Sequence, residues 1–205
     1  MPDLSDEAEV APEAKAALRR RVLARRRMLS APDRAAAAGL VQRALTDLVR
    51  RLGPTRVAGY VPVGAEPGGP ELPEVLRAAL AGAGGLLLPV LRPDLDLDWA
   101  AYTGRDGLHA AGRGMREPVG DRLGVAAVTT AQVVVVPALA VDRTGVRLGR
   151  GGGSYDRALA RLAPGALAVA LLHDAELVDR VPALPHDRRV DAVITPGHGF
   201  RPLDG

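Results

Sequence analysis

Gln132-Val-Val-Val-Val-Pro-Ala-Leu-Ala-Val-Asp-Arg-Thr-Gly-Val-Arg-Leu-Gly-Arg-Gly-Gly-Gly-Ser-Tyr-Asp-Arg157 is the stretch whose reading decides the fold. Its first part is rich in β-branched residues and shows no polar alternation, as expected of a central strand in a parallel sheet, buried on both faces. The run Val133 to Val141 is the longest apolar stretch in the chain, yet it contains Pro137 and falls far short of a membrane span. A turn at Asp142–Gly145 follows, then the loop Arg147 to Gly153, and Ser154 to Leu162 reads as a helix.

On either side of this stretch the pattern alternates. Val57 to Val63, Leu86 to Leu91, Leu97 to Thr103, Leu167 to Leu172 and Val190 to Thr195 read as strands, and Glu71 to Leu80 as a helix. Two helices come before them: Lys15 to Met28, with Leu18, Val22 and Leu29 at helical spacing, and Asp33 to Leu52, stopped by Gly53–Pro54. Strands alternating with helices predict an α/β fold of three layers, a mostly parallel open sheet with helices on both faces. Residues 1–13, acidic and containing Pro2 and Pro12, are expected to be a disordered tail, and residues 14–205 a single domain.

Composition narrows the function. The 205 residues carry 27 basic and 24 acidic side chains, a net charge of +3, too small to point to a polyanionic partner. Only five aromatic residues occur, so single-stranded nucleic acid would find few stacking platforms. Without cysteine there can be no disulfide, thiolate nucleophile or cysteine-ligated metal. No basic-then-apolar leader opens the sequence, and a cytoplasmic protein is expected. Of the 27 basic residues 26 are arginine, which leaves Lys15 as the one lysine. A compact ammonium differs from a planar fork, so Lys15 marks a position that arginine fills poorly.

Gly149, Gly151, Gly152 and Gly153 let backbone N–H groups approach an anion, and Arg147 and Arg150 add bidentate donors for phosphate oxygens. The following helix start is expected to contribute partial positive charge. Neither a P-loop, which needs Gly-Lys-Ser/Thr, nor the dinucleotide fingerprint, nor a nucleophile elbow at Ser154 matches. On the first helix Lys15, Arg19 and Arg26 fall within about 40° of one another, bordering the apolar stripe, while Arg20 and Arg27 point away. Such cations are either snorkelling side chains or the edge of a cleft. Asp156 can cap its helix or hold Mg²⁺ near phosphates, and Asp187, after His186, is a second oxygen ligand. Glu66 follows a strand end, where open α/β sheets bind ligands.

The segment Pro137 to Arg157 closely resembles the signature of the 5-formyltetrahydrofolate cyclo-ligases, also called methenyltetrahydrofolate synthetases. Lys15…Arg19, Tyr60-Val-Pro…Glu66, Glu117–Pro118, Leu184-Pro-His-Asp187 and Val190-Asp-Ala-Val-Ile-Thr195 occur in the order of that family. The resemblance implies a fold like that of ribose-5-phosphate isomerases and CoA-transferases. It also implies ATP-dependent closure of 5-formyltetrahydrofolate to 5,10-methenyltetrahydrofolate, with ADP and phosphate released. Carried onto this sequence, Lys15, Arg147 and Arg150 become catalytic. ATP falls to Lys15, Arg19, Arg147, Leu148, Gly149, Arg150, Gly151, Gly152, Gly153, Ser154 and Tyr155. The folate falls to Val61, Glu66 and Tyr155, and Mg²⁺ to Asp156 and Asp187. No nucleic acid or membrane partner is implied, and a monomer is expected.

The sequence departs from the family pattern at Ser154, where an aromatic residue is usual, at Gly152, where some members have lysine, and at Pro196, where an acid is common. Other readings are a non-catalytic relative that binds nucleotide or RNA, a sugar-phosphate isomerase or CoA-transferase-like enzyme without ATP, and a structural protein.

Overall fold

Val133 and Val135 face one apolar core while Val134 and Val136 face another, so the valine run is buried on both sides. In this computed structural model, which describes residues 4–80, 85–184 and 187–204, the run forms the middle of a seven-stranded sheet. The chain opens with α1 (Leu4–Met28), α2 (Ala31–Leu52), β1 (Arg56–Ala58), α3 (Leu72–Ala79), β2 (Gly85–Leu91) and β3 (Leu97–Ala101). It continues through β4 (Leu108–Ala110), β5 (Arg116–Pro118), β6 (Val133–Pro137), β7 (Ala140–Asp142), β8 (Arg147–Leu148) and α4 (Ser154–Leu159). The last strands are β9 (Leu167–Leu171), β10 (Leu177–Val178), β11 (Ala192–Thr195) and β12 (Gly199–Pro202).

The large sheet runs β12-β11-β9-β6-β1-β2-β3, parallel except for the edge strands β3 and β12. Helices α2 and α3 cover one face through Val41, Leu45, Leu48, Leu72 and Leu76. Helix α4 and the Val125–Thr130 turn cover the other through Ala158, Leu159 and Val128. The expected three-layer α/β architecture is therefore the observed one. Helix α2 follows from local signals: Ser30 Oγ accepts from Asp33 N at 3.2 Å, Pro32 lies in the first turn, and Gly53 closes the end at φ 59°. No helix among the described residues is long and apolar enough to cross a membrane.

Three segments differ most from the sequence reading. The strand expected over Val57–Val63 stops at Ala58; beyond it Pro62 and Gly64 bend the chain, and Tyr60 Oη bonds to Pro67 O at 3.0 Å. The apolar run is cut at Ala138–Leu139, and its second half, β7, joins β8 and β10 in a separate three-stranded sheet. Helix α1 reaches back through Pro12 to Leu4, so the described part of the expected tail is helical.

Helix α1 packs against the small sheet through Leu18 and Val22, which meet Leu139, Val146 and Leu148. The basic residues beside this stripe are not all snorkelling. Arg26 is buried, and its Nε and Nη2 meet Glu176 Oε1 and Oε2 at 2.7 and 2.8 Å. Nη2 also donates to Ala138 O at 2.7 Å, and Glu176 Oε2 accepts from His173 N at 2.8 Å. Helix, strand break and the segment after β9 are thus fastened by one charge pair.

Replacing Arg26 with Met would leave Glu176 buried without its cation. Urea unfolding at pH 7 should show Arg26→Met less stable by about 3–5 kcal/mol. The double variant Arg26→Met/Glu176→Met should recover part of that loss, because no lone charge then remains buried.

Candidate active site

The departure of the chain from β1 at Gly59 opens a cavity of about 530 Å³ between that segment, α1, the β2–β3 hairpin and the glycine loop. All fifteen residues given a catalytic, ligand or metal role from the sequence line it: Lys15, Arg19, Val61, Glu66, the segment from Arg147 to Asp156, and Asp187. Its walls divide by chemistry. Charged groups from α1 and the glycine loop occupy one part; Pro89, Leu91, Leu97 and Met115 line another.

The loop is shaped from below by Asp142. Its buried carboxylate accepts from Thr144 N, Thr144 Oγ1 and Val146 N through Oδ1, and from Val181 N through Oδ2. Gly145 completes the turn at φ 84°, and a Cβ there would lie 2.3 Å from Val190 O, so no other residue fits. The hairpin then delivers Arg147, whose Nη2 meets Asp156 Oδ1 at 3.0 Å and whose Nη1 donates to Pro137 O at 3.2 Å. Arg147 Nε is buried without a hydrogen-bond partner among the described residues, and the guanidinium lies 5.8 Å from the Tyr155 ring centre. Arg147 therefore ties the glycine loop to the central strand as well as lining the cavity.

The other charged groups are also paired. Lys15, buried on α1, places Nζ 2.5 Å from Asp187 Oδ2, which also accepts from Leu184 N at 2.6 Å. Arg19 Nε donates to Gly149 O at 2.9 Å. Arg150 reaches across the mouth with Nε and Nη2 at 3.1 and 2.9 Å from Glu66 Oε1, while Glu66 Oε2 accepts from Val63 N. Arg20 and Arg27 are exposed, as their helical angles require, and Arg26 belongs to the buried strut instead of the cavity. His186 lies outside the described residues.

The helix after the glycines spans only Ser154–Leu159, so little macrodipole is available, and donors for an anion come from loop amides and cations. Burial, reinforced by the Glu66 carboxylate, pushes both the Tyr60 and the Tyr155 hydroxyls well above their ordinary value, leaving them as neutral donors. Among the described residues no three His, Asp or Glu side chains converge as a metal site. Asp156 and Asp187 nevertheless line the same cavity, and one or two carboxylates plus substrate phosphates are a usual Mg²⁺ ligand set.

Several cavity residues were not singled out from the sequence. Pro89, Leu91 and Leu97 come from the β2–β3 hairpin, whose apolar pattern reads as core. Met115 and Arg116 come from an irregular glycine-rich segment with no periodic signal. Arg157, one turn into α4, donates to Gly152 O and Leu95 O at 3.2 and 2.6 Å, and Arg161 holds Asp96 through two bonds of 2.9 and 2.6 Å. These arginines fasten the hairpin tip to the glycine loop.

The sequence model of the 5-formyltetrahydrofolate cyclo-ligase family matches residues 11–196. The chain belongs to that family. It is 41% identical over 197 residues to the 5-formyltetrahydrofolate cyclo-ligase of Mycolicibacterium smegmatis, covering 93% of this chain and 98% of that one. The structure of the Aquifex aeolicus 5,10-methenyltetrahydrofolate synthetase superposes with a TM-score of 0.76 at 28% identity, over 93% of this chain and 94% of that one. The Mycoplasma pneumoniae 5,10-methenyltetrahydrofolate synthetase, at 18% identity and a TM-score of 0.71, shares the fold over 89% of this chain and 98% of its own. An enzyme of the ligase class acting in folate one-carbon metabolism is thereby established.

The Arg161 pair, first, and then a backbone bond hold the Asp96 carboxyl below its ordinary 3.8 against the opposing effect of burial. The stability it contributes is present above that value and lost as pH falls through the lowered one. Asp96→Asn should therefore cost about 1–2 kcal/mol in unfolding at pH 7, and the difference from wild type should shrink as pH falls below the ordinary 3.8.

Proposed function

We propose that the protein catalyses the ATP- and Mg²⁺-dependent closure of 5-formyltetrahydrofolate to 5,10-methenyltetrahydrofolate, releasing ADP and phosphate, as a cytoplasmic monomer. The observation that carries this reading is the convergence of all fifteen residues on one cavity with a charged and an apolar part. A triphosphate suits the first and a planar reduced pterin the second. Five cations, Lys15, Arg19, Arg116, Arg147 and Arg150, face four carboxylates, Glu66, Glu117, Asp156 and Asp187, so the walls carry little net charge. A tetra-anionic nucleotide is then best accommodated with a divalent cation, which Asp156 and Asp187 would hold together with phosphate oxygens. When bound, the ion supplies neutralisation of phosphate charge.

The chemistry follows from a poor leaving group. A formamide oxygen cannot depart unaided, so the γ-phosphoryl group is first transferred to it, giving an imidate-like phosphate and ADP. N10 of the folate then attacks the formyl carbon; the carbon–oxygen bond breaks with its electron pair going to phosphate, and the N10 proton is lost. Phosphoryl transfer of this kind is mostly positioning and charge stabilisation. Lys15, Arg19 and Arg150 supply donors to the phosphates, the loop amides of Gly149 to Gly153 cradle them, and Arg147 keeps the loop in place. Glu66 accepts from pterin N–H groups, beside Val61 and Tyr155. No protein nucleophile is required, which suits a cavity without cysteine.

The direct test mixes the protein with 5-formyltetrahydrofolate and Mg·ATP and follows ADP and the methenyl product together. Equal appearance of both, and of neither without ATP, is expected. Lys15→Arg keeps a cation beside Asp187 and should remain folded, but its KM for ATP should rise at least about tenfold because the fork cannot replace a point donor. Asp156→Asn should lower kcat about a hundredfold or more and shift the Mg²⁺ dependence to higher concentration, measured at saturating ATP.

A further inference from the structure

Leu95 stands in a position that glycine normally fills. Glycines aside, it is the one described residue with a positive φ, 64°. Its turn, Arg92-Pro93-Asp94-Leu95, is closed by Leu95 N donating to Arg92 O at 3.0 Å, and Arg92 N donates to Asp96 O, also at 3.0 Å, where the strand returns. Hairpins built this way place a left-handed residue after the turn, where a Cβ is penalised. The strain is not repaid by core burial, since Leu95 remains 39% exposed.

The surroundings hold the residue there. Arg157 Nη2 donates to Leu95 O and to Gly152 O, and Arg161 secures Asp96 next in the chain. The side chain lies where the cavity meets a shallower groove, both lined by Leu91, Leu95, Met115 and Glu117. A strained backbone kept by its neighbours at the rim of a ligand cavity is the pattern of a residue retained for recognition.

We infer that Leu95 is a specificity residue, which packs against the apolar body of the folate substrate where that body leaves the cavity; this rests on the function proposed above. Because Arg157 joins its carbonyl to the glycine loop, the apolar contact is registered against the nucleotide cradle. Leu95→Asn separates contact from strain, since asparagine is close in size, tolerates a left-handed backbone and is polar.

Thermal unfolding of the unliganded protein, a calorimetric Kd for 5-formyltetrahydrofolate without ATP, and KM for both substrates provide the test. Leu95→Asn should unfold no lower than wild type, raise Kd and KM for the folate about five- to tenfold and leave KM for ATP within about twofold. The conservative variant Leu95→Met should recover most of the lost affinity. An unchanged folate Kd in Leu95→Asn overturns the inference. So does a lowered melting temperature with both KM values rising together, the mark of a merely structural residue. A wild type that neither binds nor converts the folate overturns the reading of the cavity itself, a result seen without any variant.

Discussion

Helix α1 brings Lys15 and Arg19 to the cavity, yet it lies outside the three layers of the large sheet and touches the body through a modest apolar patch. What holds it in register is the buried Arg26–Glu176 pair, with Ala138 O and His173 N as the further partners. A buried pair of this kind adds little net stability, because desolvation of both ions offsets their attraction. Its effect is on geometry: a shift of α1 would separate the two buried charges. The helix is thereby joined to the strand break at Ala138–Leu139 and to the segment after β9. His173 extends the connection, its Nε2 lying 3.1 Å from Ala65 O beside Glu66. Both sides of the cavity mouth depend on this one arrangement.

The same constraint governs the groups that face the ligands. Lys15 is paired with Asp187, Arg147 with Asp156 and Arg150 with Glu66, so none of these cavity residues is an isolated charge. In the function proposed, ligand binding is an exchange of partners, in which phosphate oxygens compete with carboxylates for the cations. The net gain is smaller than any single contact suggests, because each new bond replaces one already made. The pairs differ in how readily they can exchange. Arg150 is largely exposed and its bond to Glu66 crosses the mouth, whereas Arg147 is almost wholly buried. Exchange is therefore easiest at the mouth, and the deeper pair retains its structural duty.

The sheet was legible in the sequence because its signals are local and redundant. A run of valines, glycines at helix ends and helical spacing in Leu45, Leu48 and Val49 each point to the same layers. The fifteen cavity residues were legible for another reason: the glycine–arginine segment is specific, and the resemblance carried the rest. What escaped depends on long-range packing. Arg26 looks like Arg19 until Glu176, 150 residues away, is seen beside it. The strand after Arg56 ends early because Pro62 and Gly64 turn the chain toward the cavity, a departure that the apolar letters Val57 to Val63 conceal. Leu95 left a trace, an Arg-Pro-Asp turn followed by a leucine where glycine is favoured, but the trace carries meaning only once the residue is known to face a ligand cavity.

The single lysine among 27 basic residues can now be given a physical reason. Arg26 and Arg147 each divide their planar forks between a carboxylate and a backbone carbonyl, Glu176 with Ala138 O and Asp156 with Pro137 O. Both are fixed by that geometry and both serve as struts. Among the described residues Lys15 makes one short contact, with Asp187, using a compact ammonium that has three donors on a freely rotating terminus. In the function proposed, Lys15 holds a carboxylate and turns toward a phosphate, and such a group gains from being a point charge and loses from being a fork. In a chain that has drawn nearly all its positive charge from arginine, the proposed change of partners at Lys15 is one that a compact ammonium makes more readily than a fork.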